Sequence, residues 1–253
     1  MGEALLRAAL SKQVFNAQHT YVLDPNTEKC HALSEELGIQ VGNPRNCDTV
    51  LLAVKPQHLL SVFPLSTAKN PLLLSVLAGT NTTTLQEVSQ TKRICRIMPN
   101  TPALVGAGIA ALFFSPEITE EEKMFCRSLF SATGGSIELE HEEEMHAVTA
   151  LSGSGPAYFF RFVELLTESG VSLGLSREIS EKLAQKTFTG SAKLFETTNE
   201  SPTTLRKKVT SPGGTTEAAL NTFDKEHWGD VVQKALISAA ERSKELGRQS
   251  FEK

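Results

Sequence analysis

Three short apolar runs constrain the fold of this chain more than any other feature of its sequence. They cover residues 49–54, 72–77 and 93–98, and each is followed by proline, glycine or polar residues. Short, mostly apolar runs without polar alternation are typical of strands buried on both faces of a parallel sheet. Amphipathic stretches separate them, so the pattern predicts an α/β domain over residues 1–140, with ligands bound at the carboxyl ends of the strands.

The sequence after residue 140 has a different character. Helical spacing dominates from about residue 157, and the first of these helices carries so many apolar residues that we expect it to be buried on most sides. Ser176 is placed to cap a second helix that continues through Leu194, and a last helix is predicted over residues 231–246. Residues 141–253 are therefore predicted to form an all-helical second domain.

Composition excludes several classes of function. With 25 basic and 29 acidic residues, the formal net charge is −4, which disfavours a nucleic-acid or anionic-membrane partner. The longest nearly unbroken apolar stretch is residues 105–114, whereas a membrane-spanning helix needs about 20 residues. The four cysteines form no CxxC pair, so no zinc or other metal site is expected, and a reduced cytoplasmic protein is predicted.

Residues 211–216, with the sequence SPGGTT, carry the most chemical information. Two glycines allow the backbone to turn so that several N–H groups point into one concavity, and a helix beginning near Thr215 adds its positive end. Such an arrangement suits a carboxylate or a phosphate. Taken alone, however, the segment is better explained as a plain Pro-Gly turn capped by threonine.

Three segments together resemble the pyrroline-5-carboxylate reductase family. They are RIMPNTPALVGAG at residues 96–108, ALSGSGPAYFF at residues 150–160 and LRKKVTSPGGTTEAAL at residues 205–220. The resemblance implies a Rossmann-like N-terminal domain and a helical C-terminal domain that interlocks with a second subunit, giving a homodimer or a higher homo-oligomer. It also implies hydride transfer from NADPH or NADH to carbon 5 of the cyclic imine 1-pyrroline-5-carboxylate, which yields L-proline.

The same resemblance assigns the substrate site to the SPGGTT segment. Ser211 and the N–H groups of Gly213, Gly214 and Thr215 would hold the substrate carboxylate, and the hydroxyl of Thr216 would face the ring nitrogen as the catalytic group. An imine accepts hydride readily only when it is protonated, so the site must orient an iminium without a strong neighbouring base. A neutral hydroxyl and a fixed carboxylate partner meet that need, and the hydride chemistry belongs to the cofactor.

Cofactor-binding residues are implied at the ends of two predicted strands. Lys55 and Pro56 follow the first apolar run, and Asn100 and Thr101 follow the third; these positions match family positions around the ribose and the nicotinamide. Both lie where a parallel sheet binds its ligands. Without the resemblance, a solvated loop lysine explains Lys55 equally well.

Asp24 follows a short β-rich run and stands at the position expected of a ribose-binding acid. A carboxylate about 20 residues beyond the glycine fingerprint commonly binds the ribose 2′-hydroxyl of NAD and would repel a 2′-phosphate. Asp24 is at that distance from Gly2, which favours NADH. The alternative is a turn residue or a helix cap, because Pro25 comes next.

The chain departs from the family pattern at its start. Family members begin with a buried strand and a Gly-x-Gly-Asn-Met-like turn, whereas residues 1–6 match only the end of that turn and the following helix. The glycines that would bind the pyrophosphate are not present. We expect an incomplete record of a longer protein rather than a truncated form with impaired cofactor binding. The stretch between Val41 and Asp48 is also shorter than in the family.

Two other functions fit parts of the sequence. A β-hydroxyacid dehydrogenase-like oxidoreductase would need a catalytic lysine in the helical domain, such as Lys186 or Lys193, but leaves SPGGTT unexplained. A non-catalytic or cofactor-impaired paralogue would bind proline-like ligands without nicotinamide. The acidic stretch between His141 and His146 resembles a metal site, but histidines five positions apart do not share a helix face, so a solvated helix start is expected.

Overall fold

The computed structural model describes residues 1–42, 47–63 and 70–249, and the shortened stretch noted above falls partly on residues 43–46, outside them. The chain divides into two compact units. The first contains Met1–Ser154 and the chain from Ser238 onward, and the second contains Gly155–Ile237. The functional boundary predicted after residue 140 stays a prediction, since compactness alone does not define where a functional domain begins.

The first unit is built from alternating helices and strands. Its helices are α1 (Gly2–Ser11), α2 (Thr27–Leu37), α3 (Leu59–Val62), α4 (Thr82–Ser89), α5 (Glu120–Ser131) and α6 (Glu144–Val148). Its strands are β1 (Tyr21–Val22), β2 (Gln40–Val41), β3 (Thr49–Leu52), β4 (Leu72–Ser75), β5 (Ile94–Met98), β6 (Ala110–Phe114) and β7 (Ser136–Glu138). The three apolar runs that opened the sequence analysis form β3, β4 and β5, as predicted.

Among the described residues, five strands form one sheet in the order β3-β4-β5-β6-β7, and β1 pairs with β2 in a separate parallel ribbon. The strands β3, β4 and β5 are mutually parallel, which confirms the Rossmann-like expectation. The strand β6 runs antiparallel to β5, with Met98 opposite Ala111. This reversal is not evident from the apolar pattern; it is possible because antiparallel neighbours need only a short connection, here residues 99–109.

Helices cover both faces of the sheet, which explains why β4 and β5 have no polar face. Every residue of β4 and β5 is buried. One face packs against α1 and α5 through a cluster that contains Leu5, Ala9, Leu72, Leu74, Cys95, Ile97, Leu129 and Phe130. The opposite face packs through a second cluster of Leu52, Leu59, Leu73, Leu77, Leu85 and Ile94. The two clusters therefore fix the sheet whose strand ends carry the candidate site residues.

Local capping signals fix several helix ends. Asn26 accepts the Lys29 N–H at the start of α2, and Gly38 ends that helix in the left-handed conformation with φ 69°. Thr119 and Glu122 form a reciprocal capping box at the start of α5. These signals involve only residues that are close together in the sequence.

The second unit is all-helical, as predicted. It contains α7 (Gly155–Ser172), α8 (Arg177–Thr198), α9 (Pro202–Lys208), α10 (Thr215–Lys225) and the first part of α11 (Trp228–Gln249). Ser176 caps α8 by accepting the Ile179 N–H. The helices α7 and α8 approach closely at Gly170, where an added Cβ would lie 2.8 Å from the Ser180 Oγ. No helix among the described residues has the length and apolar content needed to cross a membrane.

One prediction about α7 is wrong for the single chain. We expected burial on most sides, but Phe159 is 58% exposed and Phe160 is 60% exposed. Phe159 does contact Phe188 of α8, with ring centroids 5.8 Å apart. Neighbouring helices of the unit cover only part of α7, and its remaining apolar surface faces outward. Trp228 packs within this unit on Phe162, with stacked rings 5.7 Å apart.

Candidate active site

The carboxyl end of β3 carries Lys55 and Pro56. Lys55 is extended and exposed, and Pro56 begins the short helical turn Pro56–His58, where its lack of an N–H group has no cost. The nearby residue Ala53 lies against the start of α1, since a Cβ added to Gly2 would be 2.6 Å from the Ala53 Cβ. Gly2 therefore permits the close helix–strand packing typical of a dinucleotide-binding turn.

This packing directs the positive end of α1 toward the sheet edge where parallel α/β folds bind ligands. The first N–H groups of a helix have no intrahelical acceptor and favour negative charge. Met1 offers no side-chain cap to them. The residues present at this edge, namely the start of α1, Lys55 and Asn100, fit the expected nicotinamide dinucleotide, which carries phosphates, ribose hydroxyls and an amide.

Asn100 is a structural link as well as a residue at the end of β5. Its Oδ1 accepts the Ile109 N–H at 3.0 Å, and its Nδ2 donates to the Ser152 Oγ at 3.3 Å. Both ends of the amide are thus engaged within the first unit. Thr101 begins the short helix Thr101–Val105 and is exposed. Asn100 and Thr101 are predicted to lie beside the cofactor, but no sequence pattern indicates that Asn100 connects two of the family-like segments.

Asp24 lies in a turn. Its Oδ1 accepts the Asn26 N–H at 2.9 Å, and Asn26 in turn caps α2. The carboxylate is exposed just after β1, so it retains acceptor capacity for a further donor. The observed contacts of Asp24 are those of a turn residue. A contact between Asp24 and the cofactor ribose stays a prediction.

A buried ion pair lies beneath the β5 end of the site. Arg96, which is 5% exposed, donates from Nη1 to the Glu142 Oε1 at 2.6 Å. Glu142 also accepts the Thr82 N–H and the Thr82 hydroxyl, each at 2.7 Å. The expectation of a solvated acidic helix start is therefore wrong for Glu142, because a buried guanidinium and the start of α4 hold its carboxylate.

His146 is part of the same packed region. Its Nδ1 is 3.0 Å from the Ser243 Oγ of α11. Burial lowers the pKa of His146, and the nearby positive charge of Arg96 lowers it further. No group of three or more histidine, cysteine, aspartate or glutamate side chains able to hold a metal ion occurs within the described ranges.

A π-helical turn, Thr149–Gly153, follows α6 and includes the first two residues of the sequence SGSG at residues 152–155. Its wide ring is closed by the Ser154 N–H, which donates to the Thr149 carbonyl at 2.8 Å. A Cβ added to Gly153 would lie 3.2 Å from the Met98 Sδ, so the glycine allows close packing on the end of β5. Such π turns occur frequently at functional sites. This one presents Ser152 to Asn100, and residue spacing gave no signal for it.

The SPGGTT segment forms a tight turn in the second unit. The Gly214 N–H donates to the Ser211 carbonyl at 3.0 Å, and Gly213 has φ 70°, which with Pro212 is typical of a type II turn. A Cβ at Gly214 would be 2.4 Å from the Ser211 Oγ. Gly213 is therefore favoured by its left-handed backbone conformation, and Gly214 leaves room for the Ser211 side chain.

The turn leads directly into α10. Gly214 is its N-cap and provides no side-chain acceptor, so the first N–H groups of the helix, those of Thr215 and Thr216, have no intrahelical partner. Thr216 is half-buried. The Gly213 N–H instead donates to the Glu217 Oε2 at 2.8 Å. The structure thus brings Ser211, Gly213, Gly214, Thr215 and Thr216 into one loop, in which two of the predicted N–H donors already have acceptors from the chain itself.

Comparisons with known proteins agree with this arrangement. Residues 142–246 match the family model described as pyrroline-5-carboxylate reductase dimerisation. Residues 1–79 match the model described as NADP oxidoreductase coenzyme F420-dependent. The pyrroline-5-carboxylate reductase of Haemophilus influenzae is 38% identical over 256 residues, covering 97% of this chain and 94% of that protein.

Solved structures of pyrroline-5-carboxylate reductases are also similar to this chain. A pyrroline-5-carboxylate reductase from Coxiella burnetii superposes with a TM-score of 0.84 at 31% identity, covering 96% of this chain and 95% of that one. The pyrroline carboxylate reductase of Plasmodium falciparum, solved with NADP bound, superposes with a TM-score of 0.78 at 29% identity, covering 98% and 94%. The similarity therefore extends over both units.

Proposed function

This chain belongs to the pyrroline-5-carboxylate reductase family, and from that premise we infer that it reduces 1-pyrroline-5-carboxylate to L-proline with NAD(P)H. The observation that carries the inference is the SPGGTT turn at the start of α10. It combines a rigid type II turn, the positive end of a helix and a neutral hydroxyl within six consecutive residues. A dehydrogenase with a catalytic Lys186 or Lys193 leaves this loop without a role.

We assign the substrate carboxylate to the loop. The unpaired N–H groups at the start of α10 and the Ser211 hydroxyl are suitable donors for an anion. Fixing the carboxylate there would orient the ring so that its nitrogen faces Thr216. The Thr216 hydroxyl can accept a hydrogen bond from the protonated ring nitrogen, and being neutral it leaves that proton in place.

The first unit is assigned to the cofactor. The reduced nicotinamide supplies the hydride when it is bound. Lys55 with Pro56 and Asn100 with Thr101 would contact its ribose and nicotinamide portions, and the Asn100 links to Ile109 and Ser152 keep the end of β5 in a fixed conformation. A rigid support of this kind favours precise placement of reacting groups.

We propose a preference for NADH, based on Asp24. Its exposed carboxylate would accept a hydrogen bond from a ribose 2′-hydroxyl and would repel a 2′-phosphate. The measurement is the ratio of kcat/KM with NADH to kcat/KM with NADPH. Asp24→Ser should lower that ratio by roughly tenfold, consistent with the loss of one charged contact. A strong NADPH preference in the unaltered chain would contradict the assignment.

We further propose that the chain acts as a homodimer or higher homo-oligomer in the cytoplasm. The match of residues 142–246 to a dimerisation family supports both the assembly and a domain boundary near residue 140. Large apolar side chains on α7 and α8 remain exposed in the single chain, including Phe160 and Leu183. All four cysteines are free thiols, which is typical of a reducing compartment.

Thr216→Ala tests the catalytic assignment. We expect kcat to fall by roughly 10²-fold, because the hydroxyl that orients the iminium is lost. Thr222→Ala is the matched control, since Thr222 lies on the same helix and donates only to the Ala218 carbonyl. Oxidation of NADH and NADPH is followed with and without 1-pyrroline-5-carboxylate. Unchanged kinetics for Thr216→Ala would remove Thr216 from the mechanism.

A further inference from the structure

Glu217 occupies part of the carboxylate site that the proposed function assigns to the substrate. Its Oε2 accepts the Gly213 N–H at 2.8 Å, so a carboxylate of the chain itself already lies on one of the loop donors. The residue is the third of α10 and follows Thr216 directly. A side-chain carboxylate and the substrate carboxylate are chemically alike, so both suit the same N–H group.

We propose that Glu217 is a specificity-determining residue that competes with the substrate carboxylate for the SPGGTT loop. The inference rests on the proposed function, because it requires that loop to bind the substrate. The Gly214 N–H is committed to the Ser211 carbonyl, so Gly213 supplies the N–H that can change partner. Only a ligand whose carboxylate displaces Glu217 can accept the Gly213 N–H. Ligands that are neutral or bind weakly would therefore be disfavoured.

Electrostatics supports the same conclusion. The carboxylates of Glu217 and of a bound substrate would lie close to one N–H group and repel each other. Arg206 and Lys207 in the last turn of α9 add positive charge a few residues before the loop, whereas Lys208 is paired with Glu200 at 2.6 Å. Because Glu217 is only half-buried, added salt should weaken its effect on substrate binding.

Two substitutions separate competition from a structural role. Glu217→Ala removes the acceptor and the charge, whereas Glu217→Gln keeps an acceptor for the Gly213 N–H and removes the charge. Competition predicts a roughly three- to tenfold fall in KM for 1-pyrroline-5-carboxylate in Glu217→Ala, a smaller fall in Glu217→Gln, and unchanged kcat and cofactor KM. Glu226→Gln is the control, because it removes the same charge at the opposite end of α10.

Other outcomes overturn the inference. If KM rises in Glu217→Ala and recovers in Glu217→Gln, then Glu217 organises the loop rather than competing with the substrate. If KM is unchanged in both variants while thermal unfolding shows that both are folded, the contact has no role in specificity.

Calorimetric titration with L-proline gives the same test without turnover. The Kd of L-proline should fall in Glu217→Ala, whereas that of L-prolinamide, which has no carboxylate, should not. An unchanged Kd for L-proline overturns the competition even in a chain that shows no oxidation of NAD(P)H. Absence of turnover in the unaltered chain counts against the proposed function alone, so the two failures are distinguishable.

Discussion

The imidazole of His146 is held in its neutral form by its surroundings. Burial and the positive charge of Arg96 lower its pKa, the charge of Lys244 acts in the same direction, and Glu143 and Glu142 oppose them. The unfolded chain therefore binds a proton at a higher pH than the folded chain does. It follows that the contribution of His146 to the free energy of unfolding is fully present above the ordinary histidine pKa and is lost as the pH falls through it toward the folded value.

His146→Gln tests this linkage. Glutamine retains a polar group near the Ser243 hydroxyl but does not titrate, so the thermal unfolding midpoint of the variant should decrease less between about pH 7.5 and about pH 5.5 than that of the unaltered chain. Differential scanning calorimetry over this pH range measures the difference in slope. Parallel pH profiles for the two proteins would show that His146 does not contribute.

Contacts between residues that are far apart in the sequence cannot be predicted from local sequence patterns. The sequence places Arg96 within an apolar run and at the start of a family-like segment, and predicts that Glu142 is solvated. The two residues are 46 positions apart, and their ion pair forms only because the fold brings β5 next to the segment before α6. By contrast, the role of Ser176 as a cap needs only the next three residues, so it was predicted correctly.

Among the secondary-structure elements, α11 is positioned by two glycines. A Cβ added to Gly247 of α11 would lie 2.3 Å from the Gly79 carbonyl oxygen in the loop after β4, and one added to Gly79 would lie 2.8 Å from the Gly247 nitrogen. The two backbones are therefore in direct contact. The nearby pair of His146 and Ser243 fixes the same part of α11.

Gly247→Ala should separate α11 from the loop after β4. We expect the free energy of unfolding to fall by about 1–3 kcal/mol, because an added methyl group cannot fit against the backbone. Gly229→Ala is the matched control in the same helix; a Cβ there meets no atom within 4 Å, and alanine favours a helix by up to about 1 kcal/mol. Chemical denaturation measures both. Equal stability of the two variants would mean that α11 adjusts without cost.

Element type was predictable from the sequence to a greater extent than strand direction. The apolar runs of β3, β4 and β5 and the cap at Ser176 are local patterns, and the structure confirms them. The direction of β6 depends on how the chain leaves Met98, and the same apolar pattern is compatible with either direction. The turn at residues 211–214 was predictable because proline favours the second position of a type II turn and glycine favours the third.

For the whole molecule, the main feature of the second unit is that several large apolar side chains are exposed in the single chain. Phe160, Leu165 and Leu173 of the α7 region are 60%, 43% and 86% exposed, and Leu183 of α8 is 54% exposed. Several large apolar side chains exposed on the same helices are typical of an interface between subunits. The expectation that α7 is buried on most sides failed for the single chain because the apolar count of a helix does not say which molecule covers it.

Phe160→Glu should therefore weaken the proposed homo-oligomer. A charge placed in an apolar interface is left without a partner, so we expect the mass measured by light scattering to fall from a dimer or larger assembly to a monomer at micromolar concentration. Activity should fall with it, because the family-like helical domain is expected to interlock with a second subunit. Gln185→Glu adds the same charge at an exposed polar position of α8 and should leave the mass unchanged. If the unaltered chain is already a monomer, the exposed apolar residues of α7 and α8 need a different partner.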